Sequence, residues 1–364
     1  MAEVVFPEPD LAAVLPSLLA LPPGASVCVL GAADSGKSTW VKDAALALAR
    51  AGKSVAVVDC DLGQSEIGPP GTIGMALAEP GTEFRSLRDL PLAAAYFVGA
   101  ISPARHGLDV CVGAAQMARA AKKQRPDLVL IDTDGFVSGS AARQMKRRLC
   151  EMLLPQVVAA LTQGSEIDSL LALFARMDSP DIWRIPVSPA AQRKSTAARA
   201  TRRTARFLSA LDQSEPQTFS LDQVTLLGTF LGTGEPLPHH LLQFLGQSLG
   251  RPALHAERSG SSLSVVVNGE QWNTSGLAAI ESYFGIRSVS VTAAQKFAGL
   301  LAGLVSGSGV LLGIGRIDRI DFSRRTLTVQ TPCRKPAAVV QLWLGSLRLR
   351  ADGRENGEVR PGEI

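Results

Sequence analysis

The chain has no C-x-x-C pair, and its five cysteines, at 28, 60, 111, 150 and 333 of 364 residues, are scattered and odd in number. That pattern suggests neither a disulfide framework nor a zinc site, so reduced thiols are expected. Long apolar runs are missing as well: no uninterrupted stretch is long enough to span a bilayer. The first ten residues, MAEVVFPEPD, are acidic and lead into no signal-length apolar core with a cleavage site. These absences predict a soluble, cytoplasmic protein with no membrane partner. Low-complexity tracts and internal repeats are absent too. A strong charge of either sign is also lacking: the net +4 is compatible with a polyanionic partner without requiring one.

What is present is a globular balance, 46% apolar and 19% charged, in a chain long enough for two domains that could each bury a core. From about 25 to 165, short β-branched runs alternate with alanine-rich helical ones. SVCVL (26–30) precedes a helix predicted from about Lys37 to Ala51, SVAVVD (54–59) precedes a glycine-rich loop, and DLVLID (127–132) and QVVAAL (156–161) come later in the chain. Continuously apolar strands separated by helices predict a parallel sheet covered on both faces, with the ligand outside the carboxyl ends of its strands. After about residue 216 the texture changes. FSLDQVTLLGTFLG, SLSVVV, GVLLGIGRID, TLTVQ, AVVQLWLG and LRLR read as strands, interrupted by one helical stretch, AAQKFAGLLAGLV (293–305). The expected organisation is a lead-in over 1–24, an α/β P-loop domain over 25–215 and a smaller, largely β domain over 216–364, with the boundary at about 212–218.

Four elements carry chemistry. Gly31-Ala-Ala-Asp-Ser-Gly36-Lys37-Ser38 fits G-x-x-x-x-G-K-[ST] between a strand and a helix. Glycines let backbone N–H groups close on phosphates at a helix start, Lys37 should reach the β- and γ-phosphates, and Ser38 should bind Mg²⁺. In VVDCDLGQSEIGPPGT, Asp59 and Asp61 project similarly if the strand continues through them. They read either as a pair serving metal water and a nucleophile or as solvated loop acids. Gly63 and Gln64, which permit a tight backbone and offer a donor and an acceptor, favour the first. In LIDTDGF, Asp132, Thr133, Gly135 and Phe136 would enter the same cleft as a GTPase D-x-x-G element, a Walker B variant or a polar turn, and periodicity leaves all three open. Last, QRKSTAARATRRTARFL sets Arg199, Arg202, Arg203 and Arg206 at i, i+3, i+4 and i+7, on one face of a helix, with no acid between 193 and 210. Such a run is commonly a solvated face; beside a phosphate loop it reads as charge stabilisation for phosphoryl transfer. The run RQMKRRL (143–149) reads as a solvated helix face or a groove for a polyanion backbone.

In this order the elements resemble the RNA 5′-hydroxyl kinases that include the polynucleotide kinase subunit of mRNA cleavage and polyadenylation factor and the kinases of ribosomal-RNA processing. That family's loop, G-x-x-D-x-G-K-[ST]-T, is matched by Gly31, Ala32, Ala33, Asp34, Ser35, Gly36, Lys37, Ser38 and Thr39. Its D/E-x-D-x-G-Q followed by P-G-T is matched by Asp59, Asp61, Gly63, Gln64 and 70–72, and YFVGAISP (96–103) is similar to its Y-F-x-G-x-x-S/T-P. The clasp T-x-G-W is similar to Thr133-Asp134-Gly135-Phe136, with Phe in the Trp position. The lid R-x-x-x-R is matched twice, by Arg199 with Arg203 and by Arg202 with Arg206. The resemblance covers about 25–210 and, more loosely, LLGIGRID, TP (331–332) and LGSLRL near the end. Eukaryotic members carry an extra N-terminal domain, whereas here the loop begins at residue 31.

The resemblance implies transfer of the γ-phosphate of ATP, GTP or another NTP to the 5′-hydroxyl of RNA or DNA, with Mg²⁺. It makes Lys37, Asp61, Arg199 and Arg203 catalytic, residues 31–39 nucleotide-binding, and Ser38 and Asp61 metal-binding. Asp59, Gln64, Thr133, Gly135, Phe136, Arg202 and Arg206 would meet the substrate. A regulatory ATPase or GTPase with Asp132-x-x-Gly135 as its switch is the alternative enzyme. Its GTPase form is weakened because no asparagine is followed by lysine, as N-K-x-D requires. A catalytically silent nucleotide-binding scaffold that docks RNA is the third reading. Protein partners are not legible.

Overall fold

The computed structural model describes residues 11–189, 191–360 and 362–364. The chain divides into two compact units, one ending at Arg206 and the other beginning at Phe207.

The first unit runs α1 (Leu11–Leu19), β1 (Ala25–Gly31), α2 (Lys37–Arg50), β2 (Val55–Asp59), β3 (Thr72–Ala78), β4 (Leu92–Phe97), α3 (Gly107–Lys123), β5 (Leu128–Asp132), α4 (Gly139–Leu153), β6 (Val157–Thr162), α5 (Asp168–Leu171) and β7 (Asp181–Pro186). It closes with α6 (Thr196–Ala210), of which residues up to Arg206 belong to this unit. The sheet order is β4-β3-β2-β5-β1-β6-β7. Strands β2, β5, β1, β6 and β7 are parallel, as the continuously apolar runs predict. The pair β3 and β4 extends the sheet antiparallel, which the sequence did not announce. Every residue of β1 is buried, and successive side chains alternate faces. Val27 and Val29 pack with Trp40, Val41 and Leu48 of α2, while Cys28 and Leu30 pack with Val110 of α3 and Leu149 of α4. All five cysteines are buried free thiols.

The register brings three strand ends level with one another. Val29 pairs with Asp132 across β1 and β5, and Asp59 pairs with Asp132 across β2 and β5. The loops after β1, β2 and β5 therefore leave the same edge at the strand carboxyl ends.

The second unit carries β8 (Glu215–Ser220), β9 (Thr225–Leu227), β10 (Glu235–Pro236), α7 (His239–Leu249), β11 (Ala253–Ser259), β12 (Ser262–Val267), α8 (Leu277–Phe284), β13 (Ser288–Ala293), β14 (Leu300–Ser306), β15 (Leu311–Asp321), β16 (Thr326–Thr331), β17 (Val339–Leu349) and β18 (Glu355–Glu358). A small sheet, β10-β11-β12-β13, shares a core with α7 and α8, and a larger one runs β18-β17-β14-β15-β16-β8 with β9 against β17. The stretch 293–305, expected to be helical, instead makes one 3-10 turn at Ala294–Lys296 and then β14, hydrogen-bonded to β15 and β17. LLAGLV is apolar all round, so it suits a strand buried on both faces as well as it suits a helix. Gly299 decides against the helix: its φ is +83°, and a Cβ there would lie 2.7 Å from the Leu349 carbonyl oxygen. Helix α7 was not foreseen, although Leu245 and Leu249 one turn apart and Gly250 as its left-handed C-cap are a readable signature.

Candidate active site at the carboxyl ends of β1, β2 and β5

The loop 31–38 folds as the glycine spacing predicts. Gly36 caps α2 at φ 86°, in the left-handed region and without a side-chain cap, at a helix start of the kind that favours an anion. Gly31 has no room for a side chain: a Cβ would sit 2.5 Å from Ser35 Oγ and 2.9 Å from the Leu161 carbonyl oxygen. Lys37 is 7% exposed, and its ammonium donates to the carbonyls of Gly31 at 2.9 Å and Ala32 at 2.7 Å. Burial lowers its pKa, opposed chiefly by the Asp132 charge. The loop forms one wall of a cleft of about 480 Å³ that Ala33, Asp34, Gly36, Lys37, Ser38 and Thr39 line. Ala32 and Ser35 do not line it, and Ser35 is buried with its hydroxyl unpartnered.

The acids after β2 separate into two roles. Asp61 lines the cleft, and its Oδ1 accepts the N–H groups of Gly63 at 3.0 Å and Gln64 at 2.9 Å. Burial pushes its pKa up, opposed by those N–H groups and by Lys37. Asp59, expected to meet substrate, does not reach the cleft. It is 1% exposed and accepts the N–H groups of Asp61, Glu66 and Ile67, bracing the turn that presents Asp61 and Gln64. Its pKa is raised from 3.8 to about 8 by burial and by the Asp132 charge.

Asp132 is buried at the next strand end, and burial raises its pKa to about 7 against the pull of Lys37 and Ser38. The Ser38 hydroxyl lies beside it without making a well-aligned hydrogen bond, and both carboxylate oxygens lack any other partner.

Thr133, the expected clasp threonine, is fully buried and donates to the Val29 carbonyl at 2.7 Å, so it fastens the strand end and stays out of the cleft. Gly135 does reach the cleft, and only glycine fits there: a Cβ would lie 2.6 Å from Ala33 Cα and 2.7 Å from Ala33 N. Phe136 lines the cleft, with its N–H bonded to Asp134 Oδ1 at 2.8 Å.

Sequence reasoning missed Asp134 and Lys146. The Lys146 ammonium, fully buried in α4, donates to Asp134 Oδ2 at 2.9 Å and to the Asp134 carbonyl at 3.2 Å. The run RQMKRRL is therefore not wholly a solvated face. Its lysine faces inward, placed one residue after Met145 and three before Leu149, both core residues, a spacing that could have flagged it.

Helix α6 brings its arginines to partners distant in sequence. Arg199 meets Asp34 at 2.5 Å, Arg202 pairs with Glu66, and Glu66 also holds Arg88 at 2.7 Å. Gln64 Nε2 donates to the Arg199 carbonyl at 3.3 Å and, like Arg199, Arg202 and Arg203, lines the cleft. Arg206 does not line it: its guanidinium donates to the Gly68 carbonyl at 2.5 Å, and burial lowers its pKa. Glu66, which sequence reasoning passed over, is the acid these arginines lacked locally.

Comparison with known proteins gives this geometry its context. The family described as mRNA cleavage and polyadenylation factor CLP1 P-loop matches residues 31–211. A polyribonucleotide 5′-hydroxyl-kinase of Thermococcus kodakarensis is 31% identical over 345 residues, 93% of this chain and 92% of its own length. One of Pyrococcus furiosus is 30% identical, with 93% and 92% covered, and one of Methanocaldococcus jannaschii is 26% identical, with 91% and 89% covered. Among solved structures, Clp1p in its complex with Pcf11p superposes with a TM-score of 0.59 at 11% identity, over 93% of this chain and 78% of that one, which speaks for the fold alone. No helix among the described residues is long and apolar enough to cross a membrane. The family match over 31–211, with about 30% identity to these kinases over nearly the whole length, establishes that the chain belongs to the CLP1 P-loop family of polyribonucleotide 5′-hydroxyl-kinases.

Proposed function

We propose that the protein transfers the γ-phosphate of ATP to the 5′-hydroxyl end of RNA. The observation that carries this is that Lys37, Asp61, Phe136 and three lid arginines line one cleft. Phosphoryl transfer asks the protein for positioning and charge stabilisation, which such a cleft supplies. The loop amides and Lys37 would hold the β- and γ-phosphates. Asp61, its Oδ1 engaged by Gly63 and Gln64, would turn its other oxygen to the attacking hydroxyl and orient or accept the proton. Phe136 would pack over the terminal nucleotide, and the relatives' named activity supports RNA as the acceptor. We read the setting as cytoplasmic, in keeping with five free thiols.

The residues present fit Mg²⁺. Two buried, unpartnered oxygens of Asp132, the Ser38 hydroxyl and nearby Asp61 are hard oxygen donors, and a small divalent cation would balance the carboxylates once ionised. Ser38 would hold the ion, with Asp61 and Asp132 holding its water. The ion, when bound, neutralises charge on the phosphates.

The raised carboxylates make a testable pH dependence. Asp59 and Asp132 keep protons in the native state up to about 8 and about 7, whereas the unfolded chain loses them near 3.8. The native state then binds more protons, so without divalent ions stability should fall as pH rises from about 4 to about 8. Mg²⁺ favours the ionised site, so 5 mM MgCl₂ should raise Tm more at pH 8 than at pH 6. A Tm that climbs across that range without Mg²⁺, or an equal Mg²⁺ effect at both pH values, would contradict this.

One assay tests the activity: γ-labelled ATP, Mg²⁺ and a 5′-hydroxyl oligoribonucleotide, with an oligodeoxynucleotide and GTP as comparison arms. Label on the 5′ end supports the kinase, release of phosphate without labelled oligonucleotide indicates an ATPase, and nucleotide binding without either indicates a scaffold. The same assay reads the lid register. Arg203→Ala should lower kcat by about 10²-fold, as loss of a transition-state charge donor does, and Arg206→Ala should leave kcat within about threefold. The reverse ranking would assign the lid to Arg202 and Arg206.

A further inference from the structure

Resting on the kinase reading, we propose that Asp34 is a positioning residue that couples the phosphate loop to the lid by holding Arg199 at the cleft. Asp34 has φ 62°, a left-handed backbone that residues other than glycine seldom adopt and that aspartate tolerates better than most. From there its side chain, 13% exposed, leaves the loop toward the lid. One oxygen, Oδ2, accepts both the Lys194 N–H at 3.0 Å, two residues ahead of α6, and the Arg199 guanidinium at 2.5 Å.

The rest of the lid is fastened elsewhere. Arg202 and Arg206 bond Glu66 and the Gly68 carbonyl, in the turn after β2. The first turn of the lid therefore answers to the phosphate loop, and the later turns answer to the loop that carries Asp61. Gln64 joins the two by bonding the Arg199 carbonyl.

Physics assigns the consequence. An arginine side chain loses much rotamer freedom when it is fixed. A charge-assisted bond made before the reaction removes that loss from the chemical step, which is preorganisation. Because Asp34 belongs to the loop that wraps the phosphates, Arg199 is aligned only when the loop holds its cradle form. Asp34 thus acts through Arg199, with no contact to the transferring group required of it.

The test compares the parent protein with Asp34→Asn, Arg199→Ala and the double variant. Asp34→Asn should lower kcat by about 10–100-fold while the ATP Kd, from equilibrium dialysis, stays within about threefold. The double variant should be no slower than Arg199→Ala alone, because both changes remove one coupled element. A second readout needs no turnover: in nucleotide-free protein, Asp34→Asn should speed hydrogen exchange of the amides at 194–199 and leave those of α2 unchanged. Three results would each overturn the proposal: multiplicative losses in the double variant, unchanged exchange at 194–199, or a faster Asp34→Asn enzyme, which would mean that Asp34 sequesters the arginine. A parent protein that transfers no label would defeat the kinase reading instead, while the exchange measurement still judges the link between Asp34 and the lid.

Discussion

Asp61→Asn should lower label transfer to a 5′-hydroxyl oligonucleotide by about 10²–10⁴-fold, the range for loss of a positioned general base, while ATP binding stays within about threefold. The substitution is nearly isosteric. Its amide oxygen can still accept the Gly63 and Gln64 N–H groups that Asp61 Oδ1 accepts at 3.0 and 2.9 Å, so the turn should keep its shape. What disappears is the negative charge facing Lys37 and the capacity to take a proton. On the proposed reading ATP would be held by the loop amides and Lys37 across the cleft, whose backbone geometry the change leaves alone. Measurement of kcat, KM and ATP Kd on the same preparation separates the two walls. An Asp61→Asn enzyme that transfers label at the parent rate would remove Asp61 from the chemistry.

Lys146→Met should cost about 3–5 kcal/mol of stability, the usual result of removing one partner of a buried ion pair. Lys146 is fully buried, and its partner Asp134 is 4% exposed. Without the ammonium, Asp134 must carry an uncompensated charge in the interior or take up a proton, and both are expensive. Asp134 also accepts the Phe136 N–H, so the clasp should loosen together with the core. Replacing both members, Asp134→Asn with Lys146→Met, should recover part of the loss, because no charge is then stranded. Urea midpoints of the two variants check this, and a single variant as stable as the parent would contradict it. The same pair accounts for Lys146 within the basic run of α4, whose Arg143, Arg147 and Arg148 are exposed as a solvated face would be.

Several site features were legible because they rest on local backbone rules. Gly31 and Gly135 are where close chain approach leaves no room for a Cβ, Gly36 takes a left-handed φ of 86°, and such demands appear as glycines at fixed spacing. The apolar runs of β1, β2, β5 and β6 were equally plain, since central parallel strands are covered on both faces. Asp59 and Thr133 could not be placed in the same way. A motif says that both stand at strand ends, but whether a carboxylate or hydroxyl turns to the cleft or to a backbone N–H or carbonyl depends on the neighbouring loop. Here Glu66, Ile67 and Val29 claim them. The helix expected at 293–305 failed for a related reason: its apolar residues fit two periods, and the left-handed Gly299 together with pairing to β15 and β17 chooses between them.

The arginines of α6 mark the division most clearly. Sequence alone determined that Arg199, Arg202, Arg203 and Arg206 share one helical face with no acid nearby in the chain, because helical geometry and composition are local properties. Tertiary structure alone decided which of them would meet the cleft. It set Asp34 against Arg199, Glu66 against Arg202 and the Gly68 carbonyl against Arg206, from positions 165, 136 and 138 residues away. A guanidinium's role is fixed by the charges and dipoles within a few ångströms of it, and those come from other strands' loops.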